Sequence, residues 1–333
     1  MRWLRVEPLP GRPALIRPGE LLTSSPAAVT RWTLATAPAG SLLHLVRLSP
    51  GTDVLELTDA LRARGHLASP NHVFLGQPNY FGGPSGAPAP AEAVPYRPEE
   101  PWDVTVGLLD TGLAPHPWLA PWYRDEIAEV ADADGDGRLD AQAGHGTFIA
   151  GLILRAAPGA RLRAARLLDS HGVTDQAALL RALHRLAGER IDLLNLSFGC
   201  HTFDDRAPAG LAEALAAFPA VIACAGNTGS SRPFWPAALP TVIAVGALDG
   251  GARAAFSAHG PWVDAWAQGV GLTSSFLEFG RFRGYATWSG TSFAAALATG
   301  AAARHCRTLP PKEAVRRLLA EGRRIPDPWA RAR

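Results

Sequence analysis

The chain has 333 residues, 47% of them hydrophobic and 19% charged, enough for one large core with an appendage or for two domains. No apolar run approaches the ~18 residues of a membrane-spanning helix. With 32 basic against 30 acidic residues and a net charge of +2, composition argues for neither a nucleic-acid nor a membrane partner. Cys200, Cys224 and Cys306 are too few for a disulfide framework, and an odd count fits a reducing compartment. The opening MRWLRVEPLPGRPALIRPGE lacks the apolar stretch of an export signal. A cytoplasmic monomer is therefore expected, or a secreted protein if the true start lies upstream.

In chain order, LLHLVRL (42–48) reads as a strand. GTDVLELTDALRARG reads as a helix with Val54, Leu57 and Leu61 on one face, Asp53 and Glu56 in capping-box spacing, and Gly65 as its stop. HLASPNHVFL is a second strand. These make a small β-α-β unit within residues 1–77, with residues 1–40 unassigned. The segment PNYFGGPSGAPAPAEAVPYRPEEP (78–101) is too rich in Pro, Gly and Ala for a helix or central strand and reads as a linker. From 102 to 333, strand-like runs at 104–110, 161–169, 191–197, 220–225, 241–247 and 262–267 alternate with helical patterns near 145–156, 174–187 and 207–218. Two further helices start near Thr291 and Pro311. The pattern is that of an α/β domain built on a parallel sheet covered on both faces.

Ligand-binding and catalytic groups of such sheets gather beyond the carboxyl ends of the strands. Asp110 ends the strand VTVGLLD, His145 sits between glycines at a helix start, Asn227 follows AVIACA, and Ser292 opens the helix of WSGTSFAAALATG. Taken singly, each has a bland explanation as a turn, a satisfied core histidine or a cap. Together they are the groups nucleophilic catalysis needs. A serine hydroxyl is a poor nucleophile until an imidazole takes its proton, a carboxylate must orient that imidazole, and an amide donor must meet the developing oxyanion.

The motifs VGLLDTGLAPHP, GHGTFIAGLI, LNLSFG, ACAGNTG and YATWSGTSFAAA, over residues 103–305, resemble those of the subtilisin-like serine proteases, in that family's order Asp, His, Ser. The resemblance implies a subtilisin-like three-layer α/β fold with a central parallel sheet, and an endopeptidase working through an acyl-enzyme. It assigns Asp110 as orienter, His145 as general base and acid, Ser292 as nucleophile and Asn227 as oxyanion donor. It makes Ser197, Phe198 and Gly199 one wall for substrate side chains and Ala223, Ala225 and Gly226 the other side of the P1 pocket, with Phe198, Arg232 and the AGNTGSSRPFWPA loop able to reshape it. Gly172, in DSHGVTD, lies on the edge that pairs with a substrate backbone. The N-terminal unit looks like the second half of a propeptide, an intramolecular inhibitor whose tail, from Gln77 to Phe81 or beyond, would fill the cleft. A permanently attached accessory domain is the alternative.

Some positions depart from the family. Trp118 stands where an acidic calcium ligand is common, and Ala296 replaces a proline. Asp132, Asp134, Asp136 and Asp140, with Gly137 at the EF-hand glycine position, read either as calcium ligands or as an acidic solvated loop; Ala143 fills the twelfth loop position, where a bidentate ligand belongs. No cofactor is required for the chemistry. Cys200 and Cys224, beside the pocket walls, read as small hydrophobes or as a thiol-sensitive site. The expected partner is a peptide or protein substrate. Alternatives of the same fold are a peptide-maturation protease or a peptide ligase, and from another class a silent binding pseudoprotease.

Overall fold

A computed structural model describes residues 3–76, 86–119 and 127–326. The expected cleft segment 77–81, the first part of the linker and the last seven residues lie outside them. The chain divides into a smaller unit, Met1–Phe74 with Thr174–Glu189 and Cys200–Ala217, and a larger one, Leu75–Val173 with Arg190–Gly199 and Phe218–Arg333. The first elements are β1 (Leu4–Val6), β2 (Ala14–Thr23), a 3-10 turn (Pro26–Trp32), β3 (Thr33–Ala39), β4 (Leu43–Leu48), α1 (Val54–Ala63) and β5 (Ala68–Gly76). After them come β6 (Ala89–Pro90), β7 (Thr105–Asp110), α2 (His145–Ala156), β8 (Arg161–Arg166), β9 (Val173–Asp175), α3 (Gln176–Leu186), β10 (Leu193–Leu196), β11 (Phe198–Gly199), α4 (Leu211–Leu215) and β12 (Val221–Cys224). The remainder are β13 (Val242–Asp249), β14 (Ala252–Arg253), β15 (Ala265–Gln268), β16 (Leu272–Phe279), β17 (Phe282–Trp288), α5 (Thr291–His305) and α6 (Pro311–Ala320).

In the smaller unit the expected β4-α1-β5 succession is present, and Asp53 caps α1 by accepting from Leu55 N and Glu56 N at 2.8 and 3.1 Å. The unit is nevertheless larger than a β-α-β. Residues 1–40, unassigned from sequence, supply β1, β2 and β3, and β2 inserts antiparallel between β4 and β5. The pattern of β2 was hidden because Pro18-Gly19 interrupts it, at a register shift between Ile16 and Leu21. Leu21, Val46 and Leu61 form a core beneath α1, while Leu22, Leu43 and Leu180 form a second one that reaches α3.

The larger unit holds the parallel sheet in the order β8-β7-β10-β12-β13-β15, with β14 antiparallel at one end. Its middle strands are apolar runs because both faces are covered. Helix α2 is apolar all round and almost wholly buried, the pattern of a core helix rather than an amphipathic one. It packs against α5, whose run of Ala and Gly allows close approach: a Cβ on Gly300 would stand 2.5 Å from Ala156 Cβ. The predicted helix 207–218 shrinks to Leu211–Leu215, and the predicted strand 262–267 to Ala265–Gln268. The hairpin β16–β17 was not expected. The described part of the linker lies along this unit, with β6 paired to β17 and Glu99 N and Trp102 N donating to the carbonyls of Pro158 and Gly159.

Candidate active site

Three strands of the parallel sheet deliver polar groups past their carboxyl ends: Asp110 closes β7, Ser197 follows β10, and Asn227 stands three residues beyond β12. Two buried helices deliver the others, His145 as the first residue of α2 and Ser292 as the second of α5.

The imidazole and the carboxylate meet. His145 Nδ1 lies 2.8 Å from Asp110 Oδ1, with His145 fully buried and Asp110 1% exposed. The same Oδ1 accepts from Thr111 N at 2.8 Å. A carboxylate can only accept here, so Nδ1 carries the proton and Nε2 presents its lone pair. That Nε2 is buried without a hydrogen-bond partner among the described residues. The glycines around His145 have steric causes. A Cβ on Gly146 would stand 2.3 Å from Gly112 O and 3.2 Å from Asp110 Cβ, and one on Gly144, at φ +85°, would stand 2.2 Å from the Phe276 ring. The imidazole is also flanked by Trp288, edge-on at 5.7 Å, and by Phe293 at 5.6 Å.

Phe293 follows Ser292 in the chain, which brings the serine to the same neighbourhood. Ser292 Oγ donates to Ser197 O at 3.1 Å, and Ser197 Oγ returns a bond to Ser292 O at 3.1 Å. The hydroxyl thus rests on a carbonyl, and no bond joins it to His145 Nε2. Ser197 Oγ accepts from Asn195 Nδ2 at 3.0 Å, and Asn195 Oδ1 accepts from Thr299 Oγ1 at 2.9 Å, tying β10 to α5. Asn227 Oδ1 accepts from Thr291 N at 2.9 Å and Thr291 Oγ1 at 2.8 Å, which fixes which end of the amide is oxygen. A Cβ on Gly290 would lie 3.5 Å from Asn227 Nδ2.

Of the expected substrate positions, Phe198 and Gly199 pair antiparallel with Gly76 and Leu75, and Gly76 N donates to Gly172 O at 2.7 Å. A two-residue piece of extended chain is therefore held between these edges within the larger unit. Gly172 has φ +75°, and a Cβ there would meet Gln142 Cγ at 2.3 Å. Ala223 is a sheet residue inside β12, paired with Leu196 and Ala244; Ala225 and Gly226 continue past the strand. Cys200 and Cys224 are buried, which pushes the Cys224 thiol up to about 12 and Cys200 well above its ordinary value, so both are protonated.

Asp132, Asp134 and Asp136 offer oxygen atoms within 4.8 Å of one another. Asp140 is not in this group: its Oδ2 accepts from Ala133 N at 2.8 Å. Asp132 already accepts from the amides of Gly135, Asp136 and Gly137. Trp118, at the other calcium position the resemblance implies, is buried among Tyr96, His116 and Tyr285.

Sequence reading missed Glu129. Its Oε2 accepts from Thr147 Oγ1 at 2.7 Å, Thr147 Oγ1 accepts from Ala114 N at 2.8 Å, and Oε1 is buried without a partner among the described residues. Burial pushes this carboxyl up to about 7, donors on Thr111 and Thr147 pull it back, and the Asp110 charge adds to the rise. Only an acidic residue in a loop was visible beforehand, with nothing in the spacing to announce its burial.

The sequence model of the Subtilase family matches residues 102–319. A thermophilic serine proteinase of Bacillus sp. (strain AK1) is 34% identical over 221 residues, 61% of this chain and 53% of that protein. A thermostable alkaline protease of Halalkalibacterium halodurans is 32% identical over 209 residues, covering 60% and 55%, and subtilisin DY of Bacillus licheniformis is 31% identical over 216 residues, covering 60% and 76%. The chain thus spans about half the length of the first two relatives. A solved cold-adapted subtilisin-like serine proteinase superposes with a TM-score of 0.53 at 23% identity, covering 69% of this chain and 86% of that one, a likeness of fold. With the family's sequence signature spanning the sheet and every residue of the site, the chain belongs to the Subtilase family.

Proposed function

We propose that this protein is a serine endopeptidase acting through Ser292, His145 and Asp110. The observation that carries the reading is the 2.8 Å contact of His145 Nδ1 with Asp110, which leaves Nε2 buried and unbonded among the described residues, on a ring 5.6 Å from that of Phe293, the residue after Ser292. In the reaction Ser292 Oγ leaves the Ser197 carbonyl by a side-chain rotation and gives its proton to His145 Nε2 as Oγ bonds to the substrate carbonyl carbon. Asp110 stabilises the imidazolium without taking the proton. Asn227 Nδ2 and the Ser292 amide, at a helix N-terminus, receive the oxyanion. His145 then protonates the leaving amine, and water attacks the acyl-enzyme by the reverse sequence. Each step uses groups of the chain itself.

The pairing of Leu75 and Gly76 with Phe198 and Gly199 supports a second element of the proposal, that the N-terminal segment is an intramolecular inhibitor. An extended chain added to this edge takes the place of substrate backbone. The test is a fluorophosphonate probe together with peptide cleavage, comparing wild type and Ser292→Ala. Labelling at Ser292 and cleavage by wild type alone are expected; a folded wild type that neither labels nor cleaves overturns the proposal.

A further inference from the structure

The two backbone walls implied to flank the side chain of P1, the residue on the acyl side of the scissile bond, end in glycines, Gly199 and Gly226. A single side chain faces both. A Cβ on Gly199 would stand 2.4 Å from Phe234 Cε1 and 2.8 Å from its Cζ, and a Cβ on Gly226 would stand 2.9 Å from Phe234 Cδ1 and 3.1 Å from Cε1. Gly226 has φ +95°, so a side chain is disfavoured there on backbone grounds as well. Phe234 is 1% exposed, and the Trp235 carbonyl adds a polar floor, 2.5 Å from the same Gly199 Cβ position. The ring therefore lies in contact with both glycine faces and fills the space between the walls. Protein interiors at native density do not admit a second ring where one is already packed.

We infer that Phe234 is a specificity-determining residue that restricts P1 to glycine, alanine or serine. This rests on the endopeptidase reading above. The edge itself is competent for backbone pairing, since β11 already carries the Leu75–Gly76 strand; what the ring removes is depth for the side chain beside it. Larger P1 groups have to displace an aromatic ring from a buried site, and each methylene a pocket cannot take changes discrimination by roughly ten- to 200-fold.

The experiment measures kcat/KM of the full chain on peptides that differ only at P1 (Ala, Leu, Phe), for wild type, Phe234→Ala and Phe234→Leu. Enzyme is counted in each case by fluorophosphonate labelling of Ser292. Wild type is expected to prefer Ala over Phe by about 100-fold or more, and Phe234→Ala to reverse that preference. Phe234→Leu, which keeps most of the packing should the alanine variant fail to fold, is expected to relax the preference at least about tenfold. A labelled wild type that cleaves after Phe as readily as after Ala overturns the role of Phe234 and leaves the protease reading intact. So does a labelled pair of variants with an unchanged P1 profile. Absence of both labelling and cleavage in wild type removes both readings.

Discussion

Replacing Glu129 by glutamine isolates the consequence of a buried carboxyl set behind the Asp110–His145 pair. The carboxyl is raised from 4.5 to about 7, first by burial and further by the Asp110 charge. Below pH 4.5 the folded and unfolded chains are both protonated there and the group is neutral toward stability. Between pH 4.5 and 7 the fold keeps a proton that the unfolded chain has released, so stability falls as pH rises; above 7 the full penalty stands. A displacement of that size corresponds to about 3 kcal/mol, and the partly exposed stem of the residue, by admitting solvent, trims the expectation to about 2. Glutamine has no such proton. The assay is urea unfolding of Ser292→Ala, which prevents self-cleavage, against Ser292→Ala/Glu129→Gln, from pH 4.5 to 8. The difference in unfolding free energy should move by about 2 kcal/mol in favour of the glutamine variant across that window and then level off. Parallel stability curves over the whole range would show that Glu129 ionises normally and refute the argument.

Three further outcomes follow from the site and the smaller unit. Asn227→Ala should lower kcat by about 10²–10³-fold, a magnitude borrowed from the oxyanion asparagine of a subtilisin, with KM little changed; a loss in KM alone would remove Asn227 from the oxyanion role. Gly146→Ala forces a Cβ to within 2.3 Å of Gly112 O, and should lower activity about 100-fold by displacing His145 from Asp110, with a lower melting temperature; unchanged kinetics would mean the α2 start yields freely. His72, fully enclosed in β5 with Nδ1 3.2 Å from Gln176 Oε1, is lowered to about 4 by burial, so the smaller unit should lose about 3 kcal/mol as pH falls from 6.5 to 4; the protection factors of amides in β2 and β4, taken against the intrinsic exchange rate at each pH, should fall over that range in wild type and not in His72→Leu.

The central strands and the helices α2 and α5 were legible because their physics is local. A strand buried on both faces is a short apolar run, and a helix packed on all sides is a longer one. The surroundings of His145 were legible for a related reason: Gly144 and Gly146 are forced by clashes within a few ångströms of it, so close packing leaves a dense mark in the sequence. The hairpin β16–β17 left none, since its alternation is broken by Ser274 and Ser275, polar residues that are buried because their hydroxyls donate to the carbonyls of Phe148 and Thr147. Phe234 was hidden between prolines in a loop, and its role depends on glycines that only folding brings to it. Ser292 could be found by its motif, but its resting bond to Ser197 could not, because a rotamer has no spelling.

On the endopeptidase proposal, that resting bond makes the protein resemble a cocked mechanism with its safety engaged. A hydrogen bond of this kind contributes about 0.5–1.5 kcal/mol net, so on that proposal releasing the hydroxyl would slow acylation by roughly tenfold at most. The acceptor is the carbonyl of Ser197, the residue immediately before β11. The carbonyl that holds the hydroxyl and the strand that pairs with Leu75 and Gly76 are thus adjacent along one stretch of backbone, and the two bonds coexist.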